Sequence, residues 1–166
     1  MKSKTHVDRE AIIRLFEEIQ AAFPRLTMKL QRNHPHLDLS MDIPRQPGLT
    51  FDVNLNLQNV EELQLGTGHF WSVWFPCSDP KIVEYFREAV HGVLSGSYRI
   101  VEYSLGKWVL KSVLQRPHGQ GWITIGTSGW WPLPIPWRVT TRELRNTEQV
   151  QARAELPLSQ AGKRSV

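Results

Sequence analysis

The chain has 166 residues, 40% of them hydrophobic and 22% charged, with a formal charge of +4; these are ordinary values for a globular protein able to bury one substantial core. No apolar run approaches the roughly 20 residues that cross a bilayer, and the lone cysteine, Cys77, excludes an intramolecular disulfide and a cysteine-based zinc cluster. The charged start of the chain lacks the apolar stretch of a secretory signal, so the sequence reads as a cytoplasmic protein that makes no use of a membrane.

Along the chain, Ile12, Ile13, Leu15, Phe16, Ile19 and Phe23 recur at helical spacing and predict an amphipathic helix over 7–23, stopped by Pro24. Alternation follows: Leu37, Leu39, Met41 and Ile43 on one side of a strand, with His36, Asp38, Ser40 and Asp42 on the other. A turn around Pro47 and Gly48 leads into a second strand, where Phe51, Val53, Leu55 and Leu57 alternate with Asp52, Asn54, Asn56 and Gln58, so the two form a hairpin. A third strand is predicted over 63–75, bent at Gly66 to Gly68.

Ser78 and Asp79 before Pro80 mark a helix start, and Ile82, Val83, Phe86, Ala89, Val90, Val93 and Leu94 carry the second amphipathic helix to Gly96. Strands near 97–104, 107–115 and 121–127 follow, turning at Gly106 and again between Pro117 and Gln120. The order α-β-β-β-α-β-β-β predicts an α+β fold, a mostly antiparallel sheet of about six strands with two amphipathic helices packed on one face. It is expected to form a single domain over 1–146, with a flexible C-terminal tail over 147–166.

Charge is divided unevenly. Residues 1–88 carry ten basic and twelve acidic side chains, whereas residues 89–166 carry ten basic and four acidic. Such asymmetry steers an acidic partner or a nucleic acid toward one face.

Three functional readings follow from these residues. In the first, the run from Trp130 to Trp137, broken by Pro132, Pro134 and Pro136, is an extended aromatic segment, because proline removes backbone donors and fixes φ. Trp130, Trp131, Trp137 and Arg138 are then the contact residues of a non-catalytic protein-binding domain of inhibitor, immunity or adaptor type. Its partner is another protein, an acidic one by charge, or a second copy in a homodimer. In the second, His34, His36 and Asp38 share a strand face at a spacing of two, joined by Asp42 and, across the hairpin, Asp52, and ligate a divalent metal, with His69 as a further ligand. In the third, the basic second half, with Arg99, Lys107, Lys111, Arg116 and Arg138 among Trp108, Trp122 and Trp137, binds nucleic acid. Alternation sets Trp108 on the inner face with Leu110 and Leu114, away from Lys107 and Lys111. No nucleophile elbow, dinucleotide fingerprint or phosphate loop is present, so no catalytic residue and no organic cofactor are assigned.

Overall fold

A computed structural model describes residues 9–32, 35–129 and 139–146. Helix α1 (Arg9–Ala22) turns Ile12, Leu15, Phe16 and Ile19 to one side, where they are buried. Helix α2 (Pro80–Ser95) begins at Asp79, whose carboxylate accepts the backbone N–H of Lys81, and ends at Gly96, whose φ of 77° is left-handed. The two helices touch through Phe16 and Phe86, 6.2 Å between ring centroids, and Phe86 meets the Trp74 ring edge-on at 5.5 Å.

The strands form two antiparallel sheets. Five of them, β1 (Lys29–Gln31), β2 (Leu39–Ile43), β3 (Val53–Gln58), β4 (Glu62–Thr67) and β5 (Phe70–Trp74), pair in chain order. Four more, β6 (Arg99–Leu105), β7 (Trp108–His118), β8 (Gly121–Gly129) and β9 (Val139–Leu144), pair in the order β8-β7-β6-β9. In this second sheet three hairpin-linked strands are followed by a fourth that returns beside the first, which is a Greek key. Its long connection, from Gly129 to Val139, joins opposite edges of the sheet.

The α+β class read from the sequence holds, with two helices and two antiparallel sheets. The strand count differs: nine strands among the described residues, against the six expected in a single sheet. Strand β1 is too short for a hydrophobic period, and β9 lies beyond the proline run in a polar stretch. The single strand predicted over 63–75 is a hairpin, because Gly68, at φ 55°, and His69 form its two-residue turn, pairing Thr67 with Phe70. The tail expected over 147–166 lies outside the described residues.

The inner face of the five-stranded sheet carries Leu39, Met41, Leu55, Leu57, Leu63 and Leu65, which join both helices in one hydrophobic cluster that continues to Ile100 and Leu114 of the four-stranded sheet. The sheets approach closely where Phe70 of β5 meets Gly126 of β8; a Cβ on Gly126 would stand 3.1 Å from the phenyl ring.

Beyond β9, Asn146 ties the structure together. Its amide nitrogen donates to the Val93 carbonyl at 2.8 Å, and its Oδ1 accepts the backbone N–H of Thr50 at 2.8 Å. Gly96 lies so close that a Cβ there would overlap the Asn146 backbone oxygen at 2.1 Å. One turn earlier, Gly92 accommodates the Tyr98 ring, whose atoms stand 2.3–2.5 Å from where its Cβ would be. Asn146→Ala removes both hydrogen bonds, leaving the Val93 carbonyl with the Gly96 N–H alone, and is expected to cost about 1–3 kcal/mol in all. Gly96→Ala should destabilise the protein as well, since neither the left-handed φ nor the backbone overlap is relieved by a side-chain movement. Chemical denaturation of both variants, read by circular dichroism, checks this; wild-type midpoints would show that the junction is not structural.

Candidate functional site

The aspartates of the predicted metal face are engaged in the fold's own hydrogen bonds. Asp38 accepts the Val60 N–H at 2.8 Å, which fixes the β3–β4 turn where Asn59 and Val60 both have positive φ. Asp42 accepts from Gln31 at 3.1 Å and from Asn54 at 2.7 Å, and Asp52 accepts the Arg45 N–H at 2.6 Å. His36 and Asp38 line a shallow depression with Pro35, Gln58 and Val60, while His34 lies outside the described residues. Among the described residues no group of three or more His, Cys, Asp or Glu side chains is placed to hold a metal ion.

His69 is turned toward the other sheet. The β4–β5 turn presents it to Glu102 of β6, with Nδ1 3.0 Å from Oε1. The carboxylate is buried and the imidazole exposed. Ser112, directly across from Glu102 on β7, and Thr67, at the start of the turn, each bury a hydroxyl that has no hydrogen-bond partner. The contact orients the ring, as carboxylates do for catalytic histidines. Among the described residues the imidazole's one hydrogen bond is to Glu102, so no nucleophile is bonded to it.

Cys77 and His91 are structural. Burial, then the charge of Glu61, pushes the Cys77 thiol up to about 11, and its Sγ faces the Val60 carbonyl at 3.5 Å. Burial, then the Arg87 guanidinium, holds His91 below its ordinary value, and its ring packs on Phe23 at 5.2 Å between centroids.

In the basic half the structure corrects the expected separation of aromatics from cations. Tyr103 pairs with Lys111 and Ser104 with Val109, so Leu110 is an extra, bulged residue on β7. A one-residue slip reverses the faces beyond it. Trp108 therefore lies opposite Leu105 and is 68% exposed, with Lys107 Nζ 5.6 Å from its ring centre. On the same side Arg99 stacks over Trp122 at 4.2 Å, and Arg145 approaches that ring at 5.5 Å. Arg99 is also bonded to Gln115 and Glu143, at 2.9 and 2.7 Å. The indole face that would stack a base is thus occupied by a guanidinium already neutralised by a carboxylate.

The free sheet edges differ in how they are guarded. Strand β1 has three residues, one of them Lys29; β5 lies against β8 and α2; β9 carries Arg142 and Glu143. Strand β8 has nine residues and neither charge nor proline. Among the described residues it pairs with β7 alone and lies against β5 around Gly126, while Ile123 and Ile125 are 41% and 39% exposed. Ile125 is itself the bulged residue, since Leu114 pairs with Gly126 and Gln115 with Thr124. An edge of this composition is a template for another strand. Two cations of β7 border it, Lys111 opposite Gly129 and Arg116 opposite Ile123. The contact residues read from the sequence, Trp130, Trp131, Trp137 and Arg138, lie outside the described residues.

Two outcomes in solution follow from the buried groups. The raised thiol should leave native Cys77 unreactive to a disulfide reagent at pH 8, with one thiol appearing on unfolding; rapid native labelling would place it at the surface. Because the folded His91 value is depressed, its neutral form contributes stability above pH 6.5 that is lost as pH falls through the folded value. His91→Gln should therefore flatten the decline of melting temperature below about pH 6.5, and an unchanged slope would assign the acid sensitivity to other groups. Comparison of the chain with known protein families, curated proteins and solved structures gave no match.

Proposed function

We propose that the protein is a non-catalytic binding module that takes an extended, acidic segment of a partner protein alongside β8. The observation that carries this reading is the uncharged, nine-residue strand β8, whose outer edge is unpaired among the described residues and which exposes Ile123 and Ile125. Backbone groups along such an edge supply affinity without regard to sequence, and alternate side-chain positions supply selectivity. Lys111 and Arg116 on the adjoining strand favour carboxylates on the incoming chain, as does the basic balance of residues 89–166. Trp130 and Trp131 follow β8 directly in sequence and belong to the same contact in this reading, together with Trp137 and Arg138.

The test is a pull-down at moderate salt with wild-type protein and an Ile123→Lys, Ile125→Lys double variant, followed by hydrogen exchange on the recovered complex. The expected result is a partner retained only by the wild type, with slowed exchange of β8 amides and affinity that falls as salt rises. Trp130→Ala with Trp131→Ala should weaken the same complex while leaving the circular dichroism unchanged. A partner that binds both edge forms equally, or that leaves β8 exchange unaltered, would sink the strand-addition reading. Light scattering separates the remaining occupant, since a dimer lost in the edge variant would identify a second copy of the chain.

A further inference from the structure

The outer face of the five-stranded sheet is built unlike an ordinary solvated surface. Across the strands one row runs Gln31, Ser40, Asn56, Gln64, Val73, and the next runs Lys29, Asp42, Asn54, Gly66, Trp71. Five of these ten residues, Gln31, Ser40, Asn54, Asn56 and Gln64, carry amides or hydroxyls, and neighbours in the rows hold one another in place. Ser40 donates to Asn56 Oδ1 at 2.9 Å, Asn54 to Asp42 at 2.7 Å, and Gln64 to Gln58 at 2.7 Å. Ser40 and Gln64, each only 4% exposed, are enclosed within this polar floor, although they belong to the face opposite the hydrophobic core.

Trp71 stands at one end of this floor and is 52% exposed. Opposite it is Gly66, where a Cβ would meet the indole Cδ1 at 3.7 Å. The indole thus reaches across to the neighbouring strand at Gly66, at ordinary contact distance. A large aromatic so exposed beside a polar floor contributes nothing to the core, whereas its electron-rich ring face suits weakly positive C–H groups.

We propose that this face binds a neutral oligosaccharide, one sugar ring lying on Trp71 and the chain running across the strands toward Asn56 and Asn54. Each carboxamide has two N–H donors and two acceptor lone pairs, so the internal bonds leave capacity for hydroxyl groups that both donate and accept. The same chemistry recurs at every strand, about 4.8 Å apart, a spacing close to the length of one sugar ring. Charge decides against the other polymers: Asp42 and Lys29 lie together at the far end of one row, so phosphates meet no cationic track, and apart from Trp71 and Val73 the two rows offer a protein little apolar surface. This inference is independent of the β8 reading, which concerns a different sheet.

The experiment is native gel electrophoresis of the full chain in gels containing soluble β-glucan, xylan, mannan or amylose, with titration of intrinsic tryptophan fluorescence by the matching oligosaccharide. The expected result is retardation by at least one of these polymers and loss of at least tenfold in affinity for Trp71→Ala, with unchanged circular dichroism. Asn56→Ala should weaken binding less, and the Ile123→Lys, Ile125→Lys variant should bind as the wild type does. No retardation by any of the four, or equal retardation of wild type and Trp71→Ala, would overturn the proposal. Should Trp71→Ala fail to fold, Trp71→Phe, which keeps an aromatic ring of smaller area, serves in its place; affinity indistinguishable from wild type for both this variant and Asn56→Ala would equally overturn it.

Discussion

Three parts of the chain that are far apart in sequence converge on the amide of Asn146. It satisfies the Val93 carbonyl near the end of α2 and the Thr50 N–H between β2 and β3, while its own backbone fills the space left by Gly96. The Asn146 side chain is itself buried, so its amide must be paired, and these bonds fix the end of β9 relative to α2 and to the loop between β2 and β3 together. With β9 held beside β6, the other edge of the four-stranded sheet falls to β8. That β8 is an edge strand among the described residues is thus a consequence of how the Greek key closes.

Within that frame, single inserted residues decide which side chains face outward. The bulge at Leu110 moves Trp108 out of the series that contains Leu114 and sets it beside Lys107. The bulge at Ile125 interrupts β8 at its middle and leaves an isoleucine partly in water. Bulges serve elsewhere to spoil an edge for pairing; here one is combined with a strand free of charge, so the edge is bent without being repelled from a partner.

The polar chemistry of the chain is spent largely on the fold. Asp38, Asp42 and Asp52, which in sequence resemble a ligand set, each accept hydrogen bonds from a turn or a neighbouring strand. The His69–Glu102 pair links the two sheets across their seam. The two proposed contact surfaces lie elsewhere, at the β8 edge and on the amide floor beside Trp71.

Periodicity determined the two helices and five of the strands, and local capping signals placed the second helix's start at Ser78 or Asp79 and its stop at Gly96, because each depends on neighbours within a few residues. The α+β class followed from their order. Strand β1 was illegible because three residues give no period, and the β4–β5 turn was hidden because a glycine within an apolar stretch reads equally as a bend or as a hairpin. At the candidate sites the sequence supplied residue types but not their company. Ile123 and Ile125 look like core until β8 is known to be an edge, and Trp71 looks like core until Gly66 is placed across from it. Local spacing sets which side of a strand a residue occupies; only long-range pairing, with its bulges, decides whether that side meets the core, a neighbour or water.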